Sequence, residues 1–264
     1  MKVDEVKYLA DFKKAHHRYE VYSYGIFKTA FDEQVKSVSK HVAMYGSVSP
    51  TLSDMLITKE PIEKAYKNVY INIGKLEAGR VLTWINLTGR QMSKKSLPSF
   101  FSDKWHRLLE AWFTNRSASR VSDVTETTRE KVRQLLTDSQ DLPISQRATY
   151  IEDTLNSPDF NRNRALMIAR TESTAGANFG ASLGNADADY QTNKKWLAIE
   201  DSVTRVTHRE ADGQVVANDD MFVVGSSECL FPGDLSLPAS ECVNCRCTAM
   251  YLPILKNGLP ILKD

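Results

Sequence analysis

The sequence predicts an α+β protein, with a mostly helical N-terminal region followed by a C-terminal domain that joins a helix to a small antiparallel sheet. Three observations predict it. Through about residue 190 the apolar residues recur at helical spacing. After about Lys194 the chain breaks into short apolar or β-branched runs, KKWLAIE, QVVAND, MFVVG and TAMYLPIL. Between those runs stand Asp-Gly, Asn-Asp-Asp and Pro-Gly-Asp, residue types that make tight turns.

The elements follow in order. Asp4 to Met44 carries charges around recurring Tyr, Phe and Val positions, no proline and the single glycine Gly25, which reads as one long helix or two. Glu60-Pro61 opens the next helix, because proline in a first turn forfeits no hydrogen bond, and Ile62, Ala65, Val69 and Ile73 then keep helical spacing. Ser99 to Arg116 places Phe100, Trp105, Leu108, Leu109 and Trp112 on one face, a stripe that seeks a packing partner rather than stacked bases. Ser122-Asp123 supplies a cap and an early acid for a helix with Val124, Val132 and Leu136 on one side. Two more helices are expected near ISQRATYIEDTLN and NRNRALMIARTESTAGANFGASLG. The tail, LPILKNGLPIL, nearly repeats itself around Lys256-Asn257-Gly258 and predicts a terminal hairpin, which its prolines confine to an edge or to an arm lying on another subunit. A composition shift at Ser117 to Val121 suggests a helical N-terminal domain over 1–118 and a second domain over 119–264, β-rich from about 194 to 264.

Composition excludes several classes. Hydrophobic residues at 42% and charged residues at 25% match folded globular proteins and disfavour disorder. Lys plus Arg at 34 against Asp plus Glu at 33 leaves +1, so any contact with DNA must be local. No run is long and apolar enough to span a membrane, and MKVDEVKYLADFKK is too charged for a signal peptide. Of the four cysteines, Cys242, Cys245 and Cys247 fall within six positions, too tight for several disulfides. Their clustering with Cys229 upstream points to a metal or to idle thiols.

The informative constellation runs from Arg170-Thr171-Glu172 and Asn178 through Trp196, then Asp201, Thr204-Arg205, His208 and Asp212-Gly213, then Pro232-Gly233-Asp234, to Asn244-Cys245-Arg246-Cys247. In this order, from about Arg162 to Thr248, it resembles the phage Mu F-like minor head proteins; the first 120 residues carry no such motif. The resemblance implies a minor capsid or head morphogenesis protein of a tailed phage. It further implies an internal component of the virion at the portal vertex, assembled in the host cytoplasm and involved in DNA packaging or ejection. Its partners would be the portal, the major capsid protein and double-stranded DNA, with residues 1–118 as the docking region and Trp105, Trp112 and the terminal arm as packing surface.

One departure from the family pattern carries chemistry. Family members commonly end in His-Pro-Asn-Cys-Arg-Cys, whereas this chain has Cys242-Val243-Asn244-Cys245-Arg246-Cys247. Imidazole and thiolate exchange readily as zinc ligands, so a structural zinc held by His208, Cys242, Cys245 and Cys247, with Cys229 as an alternative, fits the pattern. The competing reading leaves the thiols reduced, or pairs one of them with Cys229.

The remaining residues have structural expectations. Asp212-Gly213 marks a turn before a strand. Arg170 and Glu172, two apart on a helix, face different neighbours and should bond across to the β unit, while Asp201 and Arg205 could pair at a spacing of four. Arg162, Arg164, Lys194 and Lys195 form the nearest thing to a DNA-contacting cluster. Two enzymatic readings compete: a metal-dependent nuclease built on His208, and a toxin-associated Mu F module beside an ADP-ribosyl transferase. The ligands would already fill a zinc shell, adjacent His16 and His17 cannot form one clamp, and no Glu-x-Glu pair is present, so the expectation is a binding protein without catalytic residues.

Overall fold

The computed structural model describes residues 4–89 and 99–263. α1 (Glu5–Tyr45) is one unbroken helix, started by Asp4, whose carboxylate accepts from Lys7 N, and stopped by Gly46 at φ 77°. α2 (Pro50–Leu56) was not expected from the sequence; Ser49 caps it by accepting from Leu52 N, with Pro50 in the first turn. α3 (Glu60–Gly89) and α4 (Ser99–Arg116) lie where the periodicity put them. α5 (Ala118–Asp138) begins after Ser117 rather than at Ser122, so Ser122 sits inside the helix and bonds back to Ala118 O. α6 (Ile144–Leu155) follows, then one π-helical turn (Pro158–Arg162) running into α7 (Asn163–Ala186).

Beyond α7 the chain forms β1 (Thr192–Leu197), α8 (Val206–Ala211), β2 (Val215–Ala217), β3 (Phe222–Val224), β4 (Ser227–Cys229), α9 (Ala239–Cys242) and β5 (Thr248–Pro253). β1 is the centre of an antiparallel sheet of order β2-β1-β5, in register at Lys195↔Val215 on one side and Lys195↔Met250 on the other. β3 and β4 make a separate hairpin. The predicted terminal hairpin is present as β6 (Leu255–Lys256) and β7 (Leu259–Pro260), turning at Asn257 and Gly258, both at positive φ. That arm lies on its own chain: Gln191 N donates to Ile261 O, Ile254 N to Gln191 O, and Lys263 Nζ to Asn185 O.

α7 organises the molecule. It is lined with Ala, Gly, Ser and Thr, and these small residues let α3 and α1 pack against it while the sheet rests on its far side. A methyl group at Gly180 would stand 2.2 Å from Gly74 O, and one at Gly184 2.1 Å from Ala78 O, so the α3 backbone approaches as closely as glycine allows.

Two large apolar clusters share this spine. One joins Val81, Leu82 and Ile85 of α3 to Trp196, Phe222, Ala249 and the cysteines. The other joins Phe12, Phe27 and Phe31 of α1 to Tyr70, Ala169 and Ala177. Both draw residues from each side of position 118, so 1–118 and 119–264 do not have separate cores.

The aromatic stripe of α4 is spent inside the chain and is not an outward packing surface. Trp105, Leu109 and Trp112 are buried, Trp105 Nε1 donates to Asp187 Oδ2 at 2.8 Å, and Trp112 stacks on Phe179 with ring centroids 4.4 Å apart. Leu108 points outward, and the side chain of Phe100 lies outside the described residues.

Candidate metal centre

The polar face of α7 holds the cysteine segment in place. Thr171, Thr174 and Asn178 lie along one side of the helix at spacings of three and four. Thr171 Oγ1 accepts from Asn244 N at 3.0 Å, and the Thr174 hydroxyl donates to the Cys245 carbonyl. Asn178 Nδ2 donates to the Cys247 carbonyl at 3.0 Å while its Oδ1 accepts from Ala249 N at 3.0 Å, so one amide serves both backbone groups of the strand entering the sheet. Asn244 is left-handed at φ 59°, a conformation asparagine tolerates better than most residues, and the chain turns there before Cys245.

Cys245 and Cys247 alternate along this extended run and face His208 of α8. His208 Nδ1 lies 3.7 Å from Cys245 Sγ and 3.4 Å from Cys247 Sγ, and all three residues are buried. A tetrahedral ion with bonds of roughly 2.3 Å to sulfur and 2.0–2.1 Å to nitrogen sets S···N separations of about 3.5 Å, between the two observed values. The donor set therefore fits a soft divalent metal. The two thiols also act on one another: the neighbouring Cys245 thiol and His208 hold the Cys247 thiol below the ordinary range, while Cys247 and burial push Cys245 up.

His208 is fixed from two sides. Trp196, fully buried, meets its ring edge-on with centroids 5.6 Å apart. Its Nε2 stands 3.1 Å from Glu241 Oε2, an ion-pair distance that is off line for a hydrogen bond, so this buried nitrogen has no hydrogen-bond partner. Glu241 is itself held by the Thr207 hydroxyl at 2.9 Å. A carboxylate behind a ligating imidazole is the usual outer partner in histidine metal sites, and nothing in the sequence marked Glu241 for it.

The other two cysteines do not join the group. Cys242 ends α9 and directs its thiol to the carbonyls of Asp234 and Leu237 at 3.1 and 3.4 Å. Cys229 is buried in β4. Burial pushes the Cys229 thiol up to about 12 and the Cys242 thiol up to about 11, so both are ordinary protonated thiols. Among the described residues the group that could hold a metal is His208, Cys245 and Cys247, and Cys242 and Cys229 of the expected set lie outside it.

The rest of the sequence constellation is scaffold. Arg170 Nε bonds Glu20 Oε1 of α1 at 3.0 Å and reaches Asn244 Oδ1 at 3.3 Å, crossing to the β unit as expected. Glu172 does not: it accepts from the Tyr70 hydroxyl of α3 and from Arg120 of α5 at 2.6 Å. Asp201 pairs with Arg246 at 2.5 Å rather than with Arg205, whose guanidinium donates to Val243 O at 2.6 Å. Asp212 Oδ1 accepts from Ala198 N, and Gly213 at φ 78° completes the turn before β2. Asp234 carries its own turn, accepting from Leu230 N and Ser236 N.

The proposed DNA-contacting cluster is dispersed. Lys194 is 2% exposed, with Nζ on Leu230 O at 2.8 Å and 5.1 Å above the Phe222 ring, so the central strand swallows it. Lys195 is tied to Glu5 at 2.8 Å. Arg164 lies over Phe31 and donates to Thr128 and Val124, leaving Arg162 as the exposed member of the four.

With this geometry in view, residues 123–250, just under half of the chain, match the family described as Phage Mu protein F like protein, so that region is phage Mu F-like. The chain is 27% identical over 249 residues to the NAD(+)–arginine ADP-ribosyltransferase EFV of Enterococcus faecalis, an alignment that takes in 92% of this chain and 48% of that protein. It is 37% identical over 102 residues to the uncharacterized protein YqbB of Bacillus subtilis, covering 37% of this chain and 33% of that one. The chain thus spans at most about half the length of these relatives. No solved structure matches.

Proposed function

We propose that this chain is a minor head protein of a tailed phage, an internal virion component that associates with the portal and acts by binding rather than turnover. The observation that carries the reading is the family match over 123–250. The geometry supports it, because the residues of the matched constellation bond mainly to one another and to α1, α3 and α5. The cavity beside His208 is about 20 Å³, room for a water and not for a substrate. In this reading the metal is zinc, and it holds the cysteine segment against α8, contributing folding free energy where the β unit is thin. DNA contact has less support, since Arg162 is the exposed member of the basic group. Among the described residues no helix is long and apolar enough to cross a membrane.

The test is co-expression of the tagged chain with the portal and major capsid proteins of the same phage, followed by quantitative mass spectrometry of purified particles. A few copies per particle travelling with the portal are expected. Absence from particles, together with NAD consumption by the purified chain, would instead favour a toxin-associated role, the activity named for the Enterococcus relative.

A further inference from the structure

We propose that the metal at His208, Cys245 and Cys247 is held by three protein ligands and keeps its fourth position open to an exchangeable water-sized oxygen ligand; this rests on the metal reading above. A soft divalent ion normally completes four-coordination, and among the described residues the group within reach offers three donors. Cys242 already directs its thiol to the carbonyls of Asp234 and Leu237 at the end of α9, and turning it towards the group would give up those contacts.

The space for a fourth ligand is present. A cavity of about 20 Å³ is lined by all three donor residues and continues to Thr204, Arg205 and Asn244. That volume holds one water. Its walls suit an oxygen ligand with negative character: Arg205 and Arg246 both line it, and their guanidinium groups bond Val243 O and Asp201. The outer side is exposed at Val203 and Asn244, giving a bound water a route to solvent. On the opposite side of the imidazole, Glu241 Oε2 stands 3.1 Å from Nε2, and the charge of that carboxylate favours the ring proton on Nε2, leaving Nδ1 to face the thiols. The centre therefore has one protein-closed side and one wet side.

The full-length chain, expressed without chelator, decides this. Metal content comes first. About one zinc per chain is expected, and a value near zero retires the metal reading itself. X-ray absorption at the zinc edge is then expected to give two sulfurs, one nitrogen and one further light atom. Three sulfurs would overturn the open position while leaving the metal in place. In the cobalt-substituted protein, azide is expected to shift the visible bands; bands that ignore azide would equally overturn the exchangeable ligand. Cys242→Ser should keep one metal per chain with the same spectrum, and Cys247→Ser should lose it. Because the absorption measurement uses the unaltered chain, a variant that fails to fold does not rescue the idea.

Discussion

Asn178 shows how much one side chain carries. Its amide donates to Thr174 O at 3.1 Å and to Cys247 O, and accepts from Ala249 N, all fully buried. Truncation leaves two strand groups unpaired where water cannot reach them, and each such loss costs about 1–3 kcal/mol. Asn178→Ala is therefore expected to lower stability in urea by roughly 2–6 kcal/mol. It should also reduce metal retention, because the same bonds hold Cys247 in place. A loss below about 0.5 kcal/mol, within the range of an ordinary surface change, would mean that the strand is held by the sheet alone.

At the scale of an element, α7 and α3 set the limits. Glycine to alanine in a helix ordinarily gains about 0.8–1 kcal/mol, and Gly25 on the exposed side of α1 has nothing within 4 Å of an added methyl. Gly25→Ala is expected to raise stability by about 0.5–1 kcal/mol. Gly180→Ala meets α3 backbone at 2.2 Å, where no side chain can swing aside, so the helices must separate. Overpacking of this kind costs about 1–3 kcal/mol and outweighs the propensity gain. Opposite signs for the two substitutions in thermal melts are the expected result; two stabilising changes would place the helices further apart than described.

For the whole molecule, the shared cores govern what can be cut. α7 buries its small-residue faces against α1 and α3, which lie before residue 118, while its motif residues lie after it. A fragment of 119–264 alone is expected to show no cooperative unfolding and little dispersion in its amide spectrum, and co-expression with 1–118 is expected to restore both. If the C-terminal fragment folded cooperatively by itself, the sheet and metal would be sufficient without the helices. In that case the N-terminal helices would be free to act wholly as a docking region.

The sequence by itself determined what local rules govern. Helical periodicity located α1, α3, α4, α6 and α7, because burying one face imposes a repeat that a single segment displays. Turn residues located β1, β2, β3, β5 and the terminal hairpin, because tight turns need particular side chains. α2 escaped since seven residues hold too few turns for a periodic signal, and the start of α5 escaped because Ser117 makes no side-chain cap there, whereas Ser122-Asp123 has the residue types of one. The spacing of Cys245 and Cys247 was legible as a shared face, and His208 stood out by type.

Tertiary structure alone decided the rest. Which cysteine completes the group depends on the left-handed turn at Asn244 and on the carbonyls that α9 offers Cys242, and neither is written in a spacing. Lys194 reads as a surface charge until β2 and β5 close on both sides of β1 and Leu230 supplies an oxygen for it. Trp105 and Trp112 read as a face in search of a partner, and the partner was α7 and its following loop in the same chain. A sequence specifies what each residue would favour as a neighbour, whereas the neighbour itself comes from segments about 50–190 positions away, and only the folded chain brings them within bonding distance.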